Sequence, residues 1–303
     1  MIKPQERFWS DGSMYLGSKT ECNVWDWDRL RMVKVKGSAK LFPIEQYEEF
    51  IECSVFSHFA DYLSPEVRAI TVDDDGLLVG VSTDPEEDDT PFVAYFPISM
   101  LESLVDCRTI KFSQLEELDR LGPFVDLSSY NDESGVPQKV AFKFNVMDKP
   151  LRTHMAWKEL HLIKSLPPHP NIVPFDRVVL EDVETRVIGF TTKYIPGGSL
   201  SNENIPFRFE WLQQLTRVVD FLNLELGIMH QDIAPRNLLV DPDTHNIRLF
   251  DFDRASSGEE DLMDGRDDVT GVVFTIYEVI TNNAHFTSIP HWDRNMDMVQ
   301  SIS

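Results

Sequence analysis

Residues 230 to 253 constrain this chain more than any other stretch. They begin His230-Gln231-Asp232-Ile233-Ala234-Pro235-Arg236-Asn237-Leu238-Leu239-Val240 and end Ile247-Arg248-Leu249-Phe250-Asp251-Phe252-Asp253. Leu238 to Val240 and Ile247 to Phe250 are β-like runs. The residues between them, Asp241 to Asn246, have the Asp, Pro and Asn content of a tight connection. A hairpin there draws its two ends together, so Asp232, Asn237 and Asp251 converge. Two carboxylates and an amide oxygen at one place suit a hard cation such as Mg²⁺, with one carboxylate left to take a proton.

A chain of 303 residues can bury one large core or two modest ones, and 42% apolar residues is ordinary for a globular protein. Its longest apolar run, Gly271 to Ile280, contains Glu278 and is too short to span a bilayer. The first residues lack the apolar segment of a secretion signal. Cys22, Cys53 and Cys107 are odd in number and widely spaced, which reads as reduced thiols rather than a disulfide frame or zinc site. Together these features point to the cytoplasm, with the nucleus as the alternative. The net charge of −23 argues against nonspecific binding to nucleic acid or an anionic membrane. It also means that a phosphate site needs its own local cations.

Residues 1–112 carry no readable motif. Short β-like runs (Met32 to Val35, Leu77 to Val81, Phe92 to Phe96) alternate with a helix-like stretch, Ile44 to Tyr62, whose apolar residues recur every three to four positions. Asp84 to Asp89 is an acidic, proline-broken loop, and Trp25 and Trp27 read as core rather than a ligand platform. This region is expected to be an α+β accessory domain of unknown role.

Further on, Val140-Ala141-Phe142-Lys143 reads as a strand. Met155 to Lys164 reads as a helix with Glu159 inside its apolar arc, and a carboxylate on a buried face needs a cation, for which Lys143 is the natural candidate. His169-Pro170-Asn171-Ile172-Val173 follows that helix. Val187 to Tyr194 reads as a strand ending in the turn Ile195-Pro196-Gly197-Gly198. Phe209 to Leu226 has the apolar spacing of an amphipathic helix closed by Gly227.

Taken in order, these segments resemble the protein kinase superfamily, most closely a group of divergent fungal kinase-like proteins. His230 to Asn237 matches the catalytic loop H-R-D-x-x-x-x-N, Asp251-Phe252 the D-F-G, Val140 to Lys143 the V-A-I-K, and His169 to Val173 the H-P-N-I-V. The resemblance covers about 170 residues from near Phe112. It implies a bilobal α+β fold: an N-lobe with hinge over 113–195 and a mainly helical, shortened C-lobe over 196–303, apparently truncated.

The resemblance implies roles as well. Asp232 is the catalytic base, and Arg236 neutralises a transferring phosphoryl group. Asn237 and Asp251 hold Mg²⁺ across the phosphates of ATP. Lys143, fixed by Glu159, positions the phosphates, and Gly122 belongs to the loop that folds over them. Thr192 sits at the back of the adenine pocket, and the backbone of Lys193 and Ile195 takes the adenine edge. The implied reaction is transfer to Ser/Thr of a protein, more than Tyr; the protein partner is unnamed.

Several positions depart from the family pattern. The phosphate loop keeps one glycine, Gly122, followed by Pro123, which lacks an N–H. Gln231 replaces the arginine that answers a phosphorylated activation loop, so switching by phosphorylation is not expected. Asp253 replaces the glycine of D-F-G, a position whose backbone freedom aspartate tolerates better than most residues. Only a short segment separates Asp253 from Asp267, and it contains no A-P-E. Two alternatives therefore stand beside phosphotransfer to protein: a pseudokinase that binds ATP or partners, and a small-molecule kinase of the aminoglycoside or choline type.

Overall fold

The computed structural model describes residues 7–10, 21–27, 29–38, 63–91, 93–146, 150–201, 205–259, 261–286 and 289–299. The helix-like stretch Ile44 to Tyr62 and Cys53 lie outside them. The chain divides into two compact units that are not continuous in sequence: Met1–Ala94, Glu117–Ser128 and Asn145–Asp148 form one, and Tyr95–Glu116, Ser129–Phe144 and Lys149–Ser303 the other.

In the first unit β1 (Phe8–Ser10), β2 (Glu21–Asp26), β3 (Arg31–Lys36), β4 (Ala69–Val72) and β5 (Leu78–Ser82) form one sheet in chain order. Only β3 and β4 run parallel. Alternation puts Cys22 and Val24 of β2 beside Val33, Val35, Ile70 and Val72 in a core closed by Leu63 and Val67. Trp25, on the opposite face of β2, is also buried, with Trp27 and Met32. Of the expected strand Phe92 to Phe96, residues 93–96 are irregular, Phe92 lies outside the described residues, and Pro97 makes a single bridge, to Arg186. Proline has no N–H with which to continue a ladder.

Residues 117–128 of this unit hold most of the hairpin that joins β7 (Glu116–Gly122) to β8 (Val125–Asn131); β6 (Thr109–Lys111) precedes it. The hairpin turns at Pro123-Phe124. Phe124 takes φ 63°, a left-handed conformation, after a proline, the pattern of a type II turn. A left-handed backbone costs a residue with a Cβ about 1–2 kcal/mol. Packing holds it there: the Phe124 ring meets Trp27 edge-on with centroids 4.5 Å apart. Arg120 donates to Asp126 at 2.8 Å and to the Trp27 carbonyl.

The second unit opens on a sheet ordered β6-β10-β11-β9, with β8 beside β9, where β9 is Pro137–Phe144, β10 Phe175–Leu180 and β11 Val187–Lys193. Helix α1 (Pro150–Ser165) lies between β9 and β10 in sequence and buries Glu159, Leu160 and Ile163. Gly189 of β11 stands opposite Phe144 and runs so close to β9 that an added Cβ would lie 2.2 Å from the Lys143 carbonyl oxygen. Glycine there sets the spacing of the strand that carries Lys143.

Helix α2 (Phe209–Asp220) buries Trp211, Leu215, Val218 and Val219, one stripe of a 3.6-residue period. The expected helix to Leu226 widens into a π-turn at Phe221–Glu225 and ends at Gly227, φ 65°. After β12 (Ile228–Met229) come β13 (Leu238–Val240) and β14 (Ile247–Leu249), an antiparallel pair. Asp241 shapes their connection by accepting from the N–H groups of Asp243 and Thr244. β15 (Ser256–Ser257) pairs with β12. Helix α3 (Asp268–Thr281) starts at an Asp267 N-cap that accepts from Thr270 N–H at 2.8 Å. Among the described residues no helix is long and apolar enough to cross a membrane.

Candidate active site

The β13–β14 hairpin performs the convergence expected of it. Asn237 precedes β13, and Asp251 lies two residues beyond β14. Phe250 N–H donates to the Asn237 carbonyl at 3.2 Å, closing the base of the hairpin. The His230 ring joins the same place. Its Nδ1 accepts from Asp232 N–H at 3.3 Å, so Nε2 carries the proton and donates to the Phe250 carbonyl at 3.0 Å. The loop before β13 is thereby tied to the strand after it.

Asn237 is buried and donates from Nδ2 to the Asp232 carbonyl (2.8 Å) and Asp232 Oδ2 (2.9 Å). Its amide oxygen is the atom left to a cation. The other Asp232 oxygen, Oδ1, accepts from Arg236 at 2.6 Å and from Arg266 at 3.0 Å. Burial pushes the Asp232 carboxyl up, but Arg236 and other nearby positive charges outweigh it and hold the group below the usual carboxylate range.

Lys143 lies between two acids: its Nζ is 2.6 Å from Glu159 Oε2 and 2.5 Å from Asp251 Oδ1. Glu159 Oε1 also accepts from Phe252 N–H at 3.1 Å, fixing the start of the Asp251-Phe252-Asp253 segment to α1. Burial lifts the Glu159 carboxyl to about 7 despite Lys143. Burial also pushes Asp251 up, but Lys143 outweighs it and leaves the group low. Asp253 is raised by burial and then by Asp251, and its Oδ1 is a buried oxygen with no hydrogen-bond partner. Asp251 takes φ 66°, whereas Asp253 has no left-handed backbone. The freedom that glycine would supply at position 253 is therefore not used.

Two carboxylates thus pair with one lysine, a third, Asp253, adds its negative charge to the same field, and Asp253 Oδ1 is orphaned. This negative excess, beside the Asn237 amide oxygen, has the hard-oxygen chemistry that Mg²⁺ takes. Among the described residues no cluster of three His, Cys, Asp or Glu side chains is by itself arranged to hold a metal. A cation there would need further oxygens, such as those of phosphates or water.

The strand end at Thr192, Lys193 and Ile195 borders β9. Lys193 N–H donates to the Pro174 carbonyl and Tyr194 N–H to the Lys139 carbonyl. Gly122 belongs to the first unit. An added Cβ there would meet nothing within 4 Å, so neither a close approach nor a special φ calls for glycine.

A family model for the protein kinase domain matches residues 132–292, more than half of the chain. The chain belongs to the protein kinase family. CBL-interacting serine/threonine-protein kinase 19 of Arabidopsis thaliana is 30% identical over 143 residues, 45% of this chain and 28% of the relative. CBL-interacting protein kinase 5 of Oryza sativa subsp. japonica is 32% identical over 137 residues, 42% of this chain and 28% of the relative. The chain spans under a third of the length of these curated relatives. Protein kinase domains in general use ATP and Mg²⁺.

In this kinase domain three residues matter that the motif reading missed or read otherwise. Gln231, seen only as a lost arginine, holds the short segment after Asp253. Its Nε2 donates to the carbonyls of Arg254 (2.8 Å) and Asp261 (3.0 Å), and its Oε1 accepts from Met263 N–H (2.6 Å). Asp268, buried at the start of α3, accepts from the N–H groups of His230 (2.8 Å) and Gln231 (2.7 Å) and so shapes the loop that carries Asp232. Arg266 gave no signal beyond being a cation in an acidic stretch.

Proposed function

We propose that this kinase-family chain transfers the γ-phosphate of Mg·ATP to a Ser/Thr hydroxyl of a protein. The observation that carries the reading is the joining of Lys143, Glu159 and Asp251 in one ion-pair group, alongside Asp232 bonded to Asn237. Bound Mg·ATP would supply the transferable phosphoryl group and charge neutralisation at the phosphates. Asn237 and Asp251 would hold the metal, with Asp253 adding negative charge. Lys143 would direct its ammonium at phosphate oxygens, kept in place by Glu159. The backbone of Lys193 and Ile195 would take the adenine edge. Asp232, ionised because its carboxyl is held low, would orient the acceptor hydroxyl and receive its proton. Arg236, half-exposed beside Asp232, would face the transferring group. A cytoplasmic or nuclear setting belongs to the same proposal and rests on the reduced-thiol pattern.

One observation favours a second reading, a module that binds ATP or a partner without transfer. Both Asp232 oxygens are already bonded. Transfer of labelled γ-phosphate from Mg·ATP, to the chain itself and to mixed Ser/Thr peptides, separates the two. The expected result is transfer that falls roughly 10²–10⁴-fold in Asp232→Asn, the usual reach of a general base. No transfer, or transfer indifferent to Asp232, rejects phosphotransfer and leaves the second reading.

A further inference from the structure

In a chain of net charge −23, arginines gather around Asp232. Arg236 and Arg266 both bond Asp232 Oδ1. Arg266 and Arg294 line one cleft with Asp232, Thr270, Gly271 and His291, at the start of α3. Arg254 adds its positive charge to the field at Asp232.

Most carboxylates near these cations are committed to other partners, and Glu278 adds a counter-charge to Arg294. Asp232 is shared between two arginines and Asn237. Asp267 caps α3 through Thr270 N–H, and Glu278 accepts from Phe286 N–H at 2.6 Å. Arg294 spends its Nε on the Ile289 carbonyl at 2.8 Å, and Arg266 spends one Nη on the Gln231 carbonyl and Asp232. Their remaining N–H groups make no hydrogen bond among the described residues. The cluster repels itself: after burial, Arg266 and Arg294 are the charges that drive the His291 imidazole down to about 4. Positive charge in excess of its local partners, with free guanidinium forks in a cleft, is the chemistry of carboxylate and phosphate recognition.

We infer that the guanidinium groups of Arg266 and Arg294 pair with an anionic side chain of the acceptor, so that the preferred substrate is a Ser/Thr peptide with acidic residues beside the hydroxyl. This rests on the proposed phosphotransfer at Asp232. Because Arg266 touches Asp232 directly, and one extended residue advances about 3.3 Å, the acidic residue falls within about two positions of the acceptor. An arriving carboxylate also competes for Arg266 and Arg236. Engaging them loosens their hold on Asp232 Oδ1, the oxygen a hydroxyl needs. Acidic substrate and free base are thereby coupled.

The test uses the full chain and fluorescent Ser/Thr peptides flanked by Asp/Glu, by Ala or by Lys/Arg, read by anisotropy without ATP and then by transfer with Mg·ATP. The expected result is binding of the acidic peptide at least ~10-fold tighter than the neutral one, a gap that shrinks as salt rises. Arg294→Gln is expected to lose the preference and Arg294→Lys, which keeps the charge but not the fork, to keep only part of it, with KM for the acidic peptide rising more than KM for the neutral one. Should Arg294→Gln fail to fold, the salt dependence in the unaltered chain decides. Equal or tighter binding of the basic peptide overturns the inference, whether or not transfer occurs. Acidic-peptide binding without any transfer keeps the anion site and rejects phosphotransfer.

Discussion

Lys143 Nζ sits 2.5 Å from Asp251 Oδ1, an ion pair that joins strand β9 to the residue two places beyond β14. Without nucleotide, this lysine neutralises the carboxylate proposed to hold the metal. A Mg·ATP complex that enters must offer Asp251 the metal and Lys143 the phosphates in exchange. Both partners gain a counter-charge, so the exchange costs little.

Nucleotide stabilisation therefore depends on metal and on Asp251 together. Saturating Mg·ATP is expected to raise the melting temperature of the unaltered chain by roughly 5–10 °C, the effect of ligand at about a hundred times Kd. Chelation of Mg²⁺, or Asp251→Asn, should remove most of that rise. A full shift in the presence of chelator would show that ATP binds without the metal.

Glu159 gives stability a pH dependence of definite sign. Its carboxyl is raised by burial from 4.5 to about 7 in the folded chain. The folded state holds the proton that the unfolded state releases, so this group's contribution is complete below about 4.5 and is lost as pH climbs through about 7. Denaturant melts across that window should show Glu159→Gln declining less steeply than the unaltered chain. Parallel curves would mean that another group sets the slope.

Removing Gln231 leaves three backbone groups of the 254–263 segment without partners. Each buried group left unsatisfied costs about 1–3 kcal/mol. Gln231→Leu is expected to lower stability by about 1 kcal/mol, the low end of that range, since Asp261 and Met263 are exposed and water can replace part of what they lose. Amide exchange should rise chiefly at Met263 and its neighbours. Phosphatase treatment of the unaltered chain should leave this protection unchanged, since a neutral amide and not a phosphate makes the contacts. Protection that depends on phosphatase treatment would contradict that view.

Trp27 supports the strained turn at Phe124. Trp27→Ala, with the loss of about 3–5 kcal/mol usual for a buried tryptophan, should relax the turn. Amides at Phe124 and Val125 should then exchange faster than the strands that flank them. Unchanged exchange at those two amides would mean that Pro123 alone sets the conformation.

The sequence by itself determined the local structure that presents the candidate site. The β13–β14 hairpin follows from two β-like runs and a turn-forming connection, and the buried place of Glu159 follows from helical period. These signals are local, so spacing reveals them. Lys143 and Glu159 are separated by 16 residues, and a carboxylate inside an apolar arc announces its need for a cation. Tertiary structure decided the rest. Arg266 reaches Asp232 across 34 residues, and no periodicity encodes that pairing. Gln231 reads as a missing charge until the segment it holds has folded back over it. The left-handed backbone falls at Asp251 and not Asp253, because φ is set by how both ends of the segment are anchored. Phe124 is held at φ 63° by a tryptophan almost a hundred positions earlier. Each of these contacts depends on where distant segments come to rest. The free energy that fixes them, burial set against chain entropy, belongs to the whole fold rather than to any stretch of sequence.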